Sequence, residues 1–206
     1  MLPPILRAVE KAGYRAFDGG HAFNLNIIGV RSAISDQSQD LFDDWMTCTY
    51  REEKHGRWIT KWWPATTDPG KLSLIKPELY NKDGSAIIVP GQYRGAYVMG
   101  LHRQKYGALV QRGPRPIKIA RDNNKDLNLD LDPSTFEEGY FGCNIHKAGK
   151  DSKTISGKTY TYSAGCQVFK REQDFNEFMD LCYLQLEHHP NWTTFSYTLL
   201  EEKELA

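Results

Sequence analysis

At 206 residues, with 40% hydrophobic and 12% aromatic positions, the chain has the composition of a packed globule rather than of a disordered segment. Its 26 basic and 26 acidic residues cancel, so there is no global electrostatic footprint for a nucleic acid partner. No apolar run reaches the roughly 18 residues of a membrane span and no secretion signal opens the sequence, which predicts synthesis in the cytoplasm without membrane insertion.

The length suits one domain over 1–206, and abundant glycine with few long helical patterns favours a mainly β, α+β fold. Residues 2–13 read as a short helix with Ile5, Val9 and Ala12 on one face. A first strand is expected over 23–30, before the polar stretch 31–39. Residues 41–50 and 56–63 read as two strands around a charged turn, after which Pro64 and Asp68-Pro69-Gly70 break the chain. Lys82-Asp83-Gly84 supplies a tight turn ahead of a strand at 85–89. Pro90-Gly91 interrupts, and 92–99 continues extended. Short strands follow at 106–110 and 116–120, then at 141–146 and 160–169, with a Lys-, Gly- and Ser-rich exposed loop, 147–158, between the last two. Residues 172–186 form the clearest helix, since Phe175, Phe178, Met179, Cys182 and Leu186 recur near a 3.6-residue period. The tail from Trp192 to Leu200 alternates and is expected to form an edge strand.

Four cysteines, Cys48, Cys143, Cys166 and Cys182, are widely spaced with no CxxC pair, and reduced thiols are expected. Cys48 and Cys182 sit in apolar patterns, where cysteine behaves as a small hydrophobe. Cys143 either flanks a reactive centre, packs beside it or pairs with a neighbour.

Asn144-Ile145-His146 and Ser163-Ala164-Gly165-Cys166 carry the chemistry. A free thiol has a pKa of about 8.5, and a nearby imidazole raises its thiolate fraction, so that it can attack an acyl carbon. Cys166 is therefore the candidate nucleophile and His146 its general base and then acid. The alternatives are a buried structural thiol and a histidine held by a backbone carbonyl. The amides of Gly165 and Cys166 are candidate oxyanion donors. Ser163 either supports the site or caps a turn. His102, in Gly100-Leu101-His102-Arg103, is the second imidazole beside a strand-like run and a candidate substrate contact.

Oxygen ligands alternate at Asp122, Asn124, Asp126, Asn128 and Asp130 in the spacing of a calcium loop. Leu127 replaces the glycine and Pro133 the bidentate glutamate of that motif, so a hydrogen-bonded polar turn is the favoured reading. Zinc is disfavoured, because the cysteines and histidines lack paired spacing.

Sixteen residues separate His146 from Ser163. This arrangement resembles the signature of the L,D-transpeptidase catalytic domain family: a histidine, fourteen to seventeen residues, then Ser or Thr, His, Gly and Cys. Ile88-Val89-Pro90-Gly91-Gln92-Tyr93 is similar to the family's Thr-Pro-x-Gly-x-Tyr/Phe segment, and Pro64-Ala65-Thr66-Thr67 to the strand end before it. The likeness spans about 42–186. Two positions depart: Ala164 stands where the family has histidine, and Val168 where it has an arginine that would anchor a substrate carboxylate. Arg103, Lys105 or Arg94 can replace that anchor, since a guanidinium clamps a carboxylate bidentately.

The resemblance implies an L,D-transpeptidase-like mixed β-sandwich with a C-terminal helix, no cofactor, and a peptidoglycan stem peptide as substrate. It further implies that Gly142, Asn144, Tyr93 and Arg94 line the cleft, and that a backbone carbonyl orients His146. For Tyr93 and Tyr97, ordinary cross-strand packing is an equal alternative. The activity would be that of a transpeptidase, carboxypeptidase or endopeptidase. Without a secretion signal, a phage lysis or virion-associated role at the wall is favoured, with virion components as further partners. The alternative is an inactive structural or wall-binding protein of the same fold.

Overall fold

The computed structural model describes residues 1–33, 41–149 and 163–206. Most of the expected 147–158 loop and the first residues of the expected 160–169 strand lie outside the described residues. In chain order the elements are α1 (Pro4–Lys11), β1 (Asn26–Arg31), β2 (Asp44–Arg51), β3 (Trp58–Thr66), α2 (Lys71–Ile75), β4 (Ser85–Ile88), β5 (Gly91–His102), β6 (Tyr106–Val110), β7 (Ile117–Asp122), β8 (Phe136–Gly139), β9 (Ile145–Lys147), β10 (Gln167–Phe169), α3 (Glu172–His188) and β11 (Phe195–Glu201).

Two β-sheets result, a mixed eight-stranded one and an antiparallel three-stranded one. Eight strands close in the order β1-β11-β5-β6-β9-β10-β3-β2, and β4-β7-β8 form a separate three-stranded sheet. The larger sheet therefore wraps on itself rather than lying as one open layer. Closure depends on a parallel pair between strands far apart in sequence, with Ile27 opposite Tyr197 and Val30 opposite Leu200. β11 was expected at an edge and instead lies between β1 and β5. Its reach of Tyr197 to Leu200 is buried throughout, as a strand covered on both faces requires.

Pro64, expected to end a strand, lies inside β3 opposite Trp45. Its carbonyl accepts from Lys170 N–H, just past the last residue of β10. The missing Pro64 N–H thus falls where pairing with β10 is ending and removes no bond from the β2 ladder. α2 and β8 have no counterpart in the sequence reading: the first is five residues long, and the second, Phe-Glu-Glu-Gly, shows no apolar alternation.

α3 lays Phe175, Phe178, Met179 and Cys182 into the main core, where Phe178 packs on Phe169 and Trp63 with ring centroids 5.0 and 6.1 Å away. Each fully buried aromatic of this kind contributes about 1.5–3 kcal/mol. The packing anchors β10, and hence the residues just ahead of it. A smaller cluster of Leu74, Ile87, Ala120 and Leu129 holds the three-stranded sheet together.

Beneath β10 runs a buried polar network. Tyr197 OH donates to Gln167 Oε1 (2.6 Å), and Gln167 Nε2 donates to Thr67 O (3.2 Å). Thr67 Oγ1 donates to Asp44 Oδ2 (2.8 Å), and Arg31 Nε, fully buried, lies 2.7 Å from Asp68 Oδ1. Burial pushes the Asp68 carboxyl up to about 7 against the pull of the Arg31 guanidinium.

Candidate active site

The parallel pairing of β9 with β10 sets Gln167 opposite Ile145 and Val168 opposite His146. Side chains alternate across a strand, so Ile145 and Gln167 turn inward and are fully buried. Asn144, His146 and Val168 occupy the other face, and Cys166, two residues ahead of Val168, joins them. The register extends one step beyond the strands, because Gln167 N–H donates to Asn144 O (2.9 Å). Twenty residues of sequence are thereby folded into a diagonal neighbour relation between His146 and Cys166.

The Cys166 thiol is half-buried and opens into a cleft of about 260 Å3 between the barrel and the three-stranded sheet. Ala86 of β4, Arg121 of β7, His102 and Arg103 at the end of β5, and Gly142 and Asn144 ahead of β9 also line it. Burial raises the thiol to about 11, while the Asn144 backbone N–H and Arg103 draw it down. Its Sγ donates to Gly142 O at 3.5 Å. The other three cysteines are free and buried, and burial raises each further than Cys166. Cys143 packs in the main core rather than in the cleft.

The loop entering Cys166 is held by short-range bonds. Ser163 Oγ donates to Cys166 O (2.8 Å) and accepts from Gly165 N–H (3.2 Å), which makes it a turn-forming hydroxyl. The Gly165 amide is thus engaged, and of the two expected oxyanion donors the Cys166 amide is the one without an acceptor among the described residues. Gly165 has φ +109°, and a Cβ there would lie 2.4 Å from Ala86 O, so only glycine brings this turn against β4.

His146 is buried, and its Nδ1 lies 2.8 Å from the carbonyl of the next residue, Lys147. A carbonyl only accepts, so Nδ1 carries the proton and Nε2 keeps a lone pair. Desolvation and the neighbouring His102 push His146 down to about 3, which keeps it neutral at physiological pH. His102 is stacked on it, ring centroids 4.0 Å apart and planes at 24°.

The remaining expected residues fall in different places. Tyr93 and Arg94 border a separate depression of about 400 Å3 with Arg115 and Lys118, away from Cys166. Tyr93 OH donates to the carbonyls of Val89 and Lys118, which ties β5 to the small sheet and makes it a packing residue. Arg103 sits in the cleft with φ +48°, exposed and without an ion pair among the described residues. Asn124 Nδ2 donates to Asp126 Oδ2 (3.0 Å) and to Asp130 Oδ2 (2.6 Å), and Asp130 N–H donates to Asp122 Oδ2 (3.2 Å). The backbone N–H groups of Asp126 and Asn128 are likewise taken up within the loop, by Asn124 Oδ1 and Asp126 Oδ1. These oxygens close a polar turn on itself, and among the described residues no cluster of three or more His, Cys, Asp or Glu could hold a metal ion.

Three contributors carried no sequence signal. Gln111 accepts the N–H groups of Phe141 (2.7 Å) and Gly142 (3.0 Å) and shapes the segment before β9. Tyr106 OH donates to Lys147 O (3.3 Å) beside His146. Arg121 reaches the cleft edge while paired to Glu137 (3.2 Å). None belongs to a motif, and only the pairing of β6 with β9 and the approach of β7 from the small sheet bring them here. Comparison with family models, characterised proteins and solved structures gives no match for this chain.

Proposed function

We propose that the chain is a cysteine-dependent acyl-transfer or hydrolytic enzyme of the L,D-transpeptidase type that acts on peptidoglycan stem peptides. The observation that carries this reading is the arrangement across β9 and β10: a thiol open to a cleft, on the same sheet face as an imidazole whose Nδ1–H is fixed by the Lys147 carbonyl.

In this mechanism His146 Nε2 takes the proton from Cys166 Sγ as sulfur attacks the acyl carbon. The resting pair is neutral, with the thiol raised and the imidazole lowered, so the proton moves during attack rather than before it. The Cys166 amide donates to the developing oxyanion. His146 then gives its proton to the departing amine, and water or a second amine resolves the thioester. Arg103, without an ion pair among the described residues, would receive a substrate carboxylate in place of the arginine that Val168 displaces.

Action at the cell wall follows from the same resemblance and is part of the proposal, as are a phage lysis or virion-associated setting and the L,D-transpeptidase-like identity of the fold. The second reading is an inactive wall-binding protein, favoured by Ala164 and by the elevated thiol. Purified muropeptides incubated with the protein and with Cys166→Ser, followed by mass spectrometry, separate the two. Loss of a D-amino acid, cleavage of a crosslink or exchange of an amine in the wild type alone supports the enzyme. Unchanged masses with both proteins overturn it.

A further inference from the structure

His102 is bound into the site by a chain of hydrogen bonds whose polarity can be read without ambiguity. Gln111 N–H donates to Asn144 Oδ1 (2.9 Å), and a backbone N–H can only donate. The Asn144 amide orientation is therefore fixed, and its nitrogen faces His102 Nδ1 at 3.1 Å. An amide nitrogen only donates, so His102 Nδ1 accepts and the ring's proton lies on Nε2. His146 has the opposite pattern, with its proton on Nδ1 toward Lys147 O. Two neutral imidazoles of opposite tautomer thus lie face to face.

We infer that His102 is a positioning residue, an Nε2-protonated imidazole that holds the His146 ring flat and keeps it in its neutral, proton-accepting form. The stack opposes double protonation, because two like charges on rings 4.0 Å apart in a buried site repel strongly. The groups around the pair act in the same sense. Arg103 adjoins His102 and adds positive charge, the Tyr106 hydroxyl and the Cys166 thiol are neutral, and Lys147 is held by Glu172. No carboxylate among the described residues contacts either ring. Ala164 leaves the turn before Cys166 without an imidazole of its own, and His102 brings a second ring to the cleft from a different strand.

The inference rests on Cys166 and His146 acting as nucleophile and base, and its test is separable from that reading. The full-length protein is labelled with nitrogen-15 at histidine, and long-range proton–nitrogen spectra are recorded from pH 4.5 to 8.5. In parallel, Cys166 is alkylated with iodoacetamide and followed by peptide mass spectrometry. The expected wild-type result is a proton on Nε2 of His102 and on Nδ1 of His146, with neither ring titrating near the ordinary value of about 6.5.

Asn144→Asp replaces the donor facing His102 with an acceptor, which draws a proton to Nδ1 and favours the imidazolium. This variant is expected to bring a histidine titration to pH 6.5 or above. Between pH 8.5 and pH 6 it should lose Cys166 alkylation about fourfold more than the wild type does, the fraction of neutral imidazole left at pH 6 when the midpoint is about 6.5. His102→Gln preserves an acceptor for Asn144 but removes the ring, and is expected to raise the His146 titration midpoint toward 6.5. A His102 proton on Nδ1, or either ring titrating near 6.5 in the wild type, overturns the inference, and those spectra decide it even if a variant fails to fold. Unchanged tautomers and pH profiles in both folded variants also overturn it. Failure of the underlying reading appears elsewhere, as a Cys166 alkylation rate that His146→Ala leaves unaltered.

Discussion

Gly165 places the thiol. Its φ of +109° and the 2.4 Å approach of a would-be Cβ to Ala86 O leave no room for a side chain, and the atom in the way is backbone. Gly165→Ala is expected to cost about 1–3 kcal/mol for the unfavourable backbone conformation, with the clash added to it. Relief would come by moving the Cys166 turn away from β4. Thermal unfolding should show the loss, and Cys166 alkylation at fixed pH should change while Cys48 and Cys182 stay unreactive. An unchanged melting temperature would mean that the turn does not press on β4.

At this scale much of the site was legible. The spacing of His146 and Cys166 and the glycine before the thiol all stood in the sequence. The role of Ser163 did not, because a serine hydroxyl two residues before a glycine serves a turn or a substrate equally well. Its bonds to Gly165 N–H and Cys166 O decide for the turn. For Tyr93, cleft lining and cross-strand packing stood level in the sequence, because its place in a motif-like segment says nothing about which way β5 turns it; its bonds to Val89 and Lys118 favour packing.

At the scale of elements, the network under β10 joins β1, β2 and the segment after β3 through Arg31, Asp44, Thr67 and Asp68. Their burial could not be read from the sequence, where Arg31 read as the start of a polar stretch, Thr67 as a strand end and Asp68 as part of a turn. Their burial follows from barrel closure, which brings the end of β1 beside Ile88 O, a bond made by Arg31 Nη1 at 3.0 Å. Arg31→Met removes the cation and leaves buried carboxylates uncompensated, with an expected cost of about 3–5 kcal/mol. The sign of the pH dependence follows from Asp68, whose folded pKa is raised from 3.8 to about 7 even with Arg31 present. A carboxyl raised in the folded state favours folding below its unfolded pKa, and that contribution is lost as pH rises through the folded value. Without Arg31 the folded value climbs further, so the variant's penalty should be small at pH 5 and largest at pH 8. Denaturant unfolding at the two pH values checks this, and a penalty independent of pH would show that Asp68 does not carry it.

For the whole molecule, the cleft is a seam between two sheets that share one apolar core on their facing sides. The large cluster that includes Phe169, Phe178 and Tyr197 also takes in Ala86, Ile88, Ile117 and Ile119 of β4 and β7, whose opposite face rests with α2 on Leu74, Ile87, Ala120 and Leu129. Periodicity reports the local face of each strand, so it indicated strands and the α3 stripe. It carried no information on the parallel pairing of β1 with β11 that closes the barrel, nor on which strands would split off. The second, outer cluster has a consequence for the site. Cys166, His146 and His102 belong to the barrel side, while Ala86 and Arg121 come from the small sheet. Ile87→Ala should cost about 2–5 kcal/mol by opening a cavity in the smaller core. That loss should appear first as faster hydrogen exchange in β4, β7 and β8, with β1, β5 and β11 still protected, because cooperative units open with different free energies. The His146-dependent alkylation of Cys166 should survive in this variant, since both groups stay on the barrel, while occupancy by a substrate that spans the seam weakens. Uniform acceleration of exchange across both sheets would instead make them one cooperative unit, with the cleft opening only when the whole fold does.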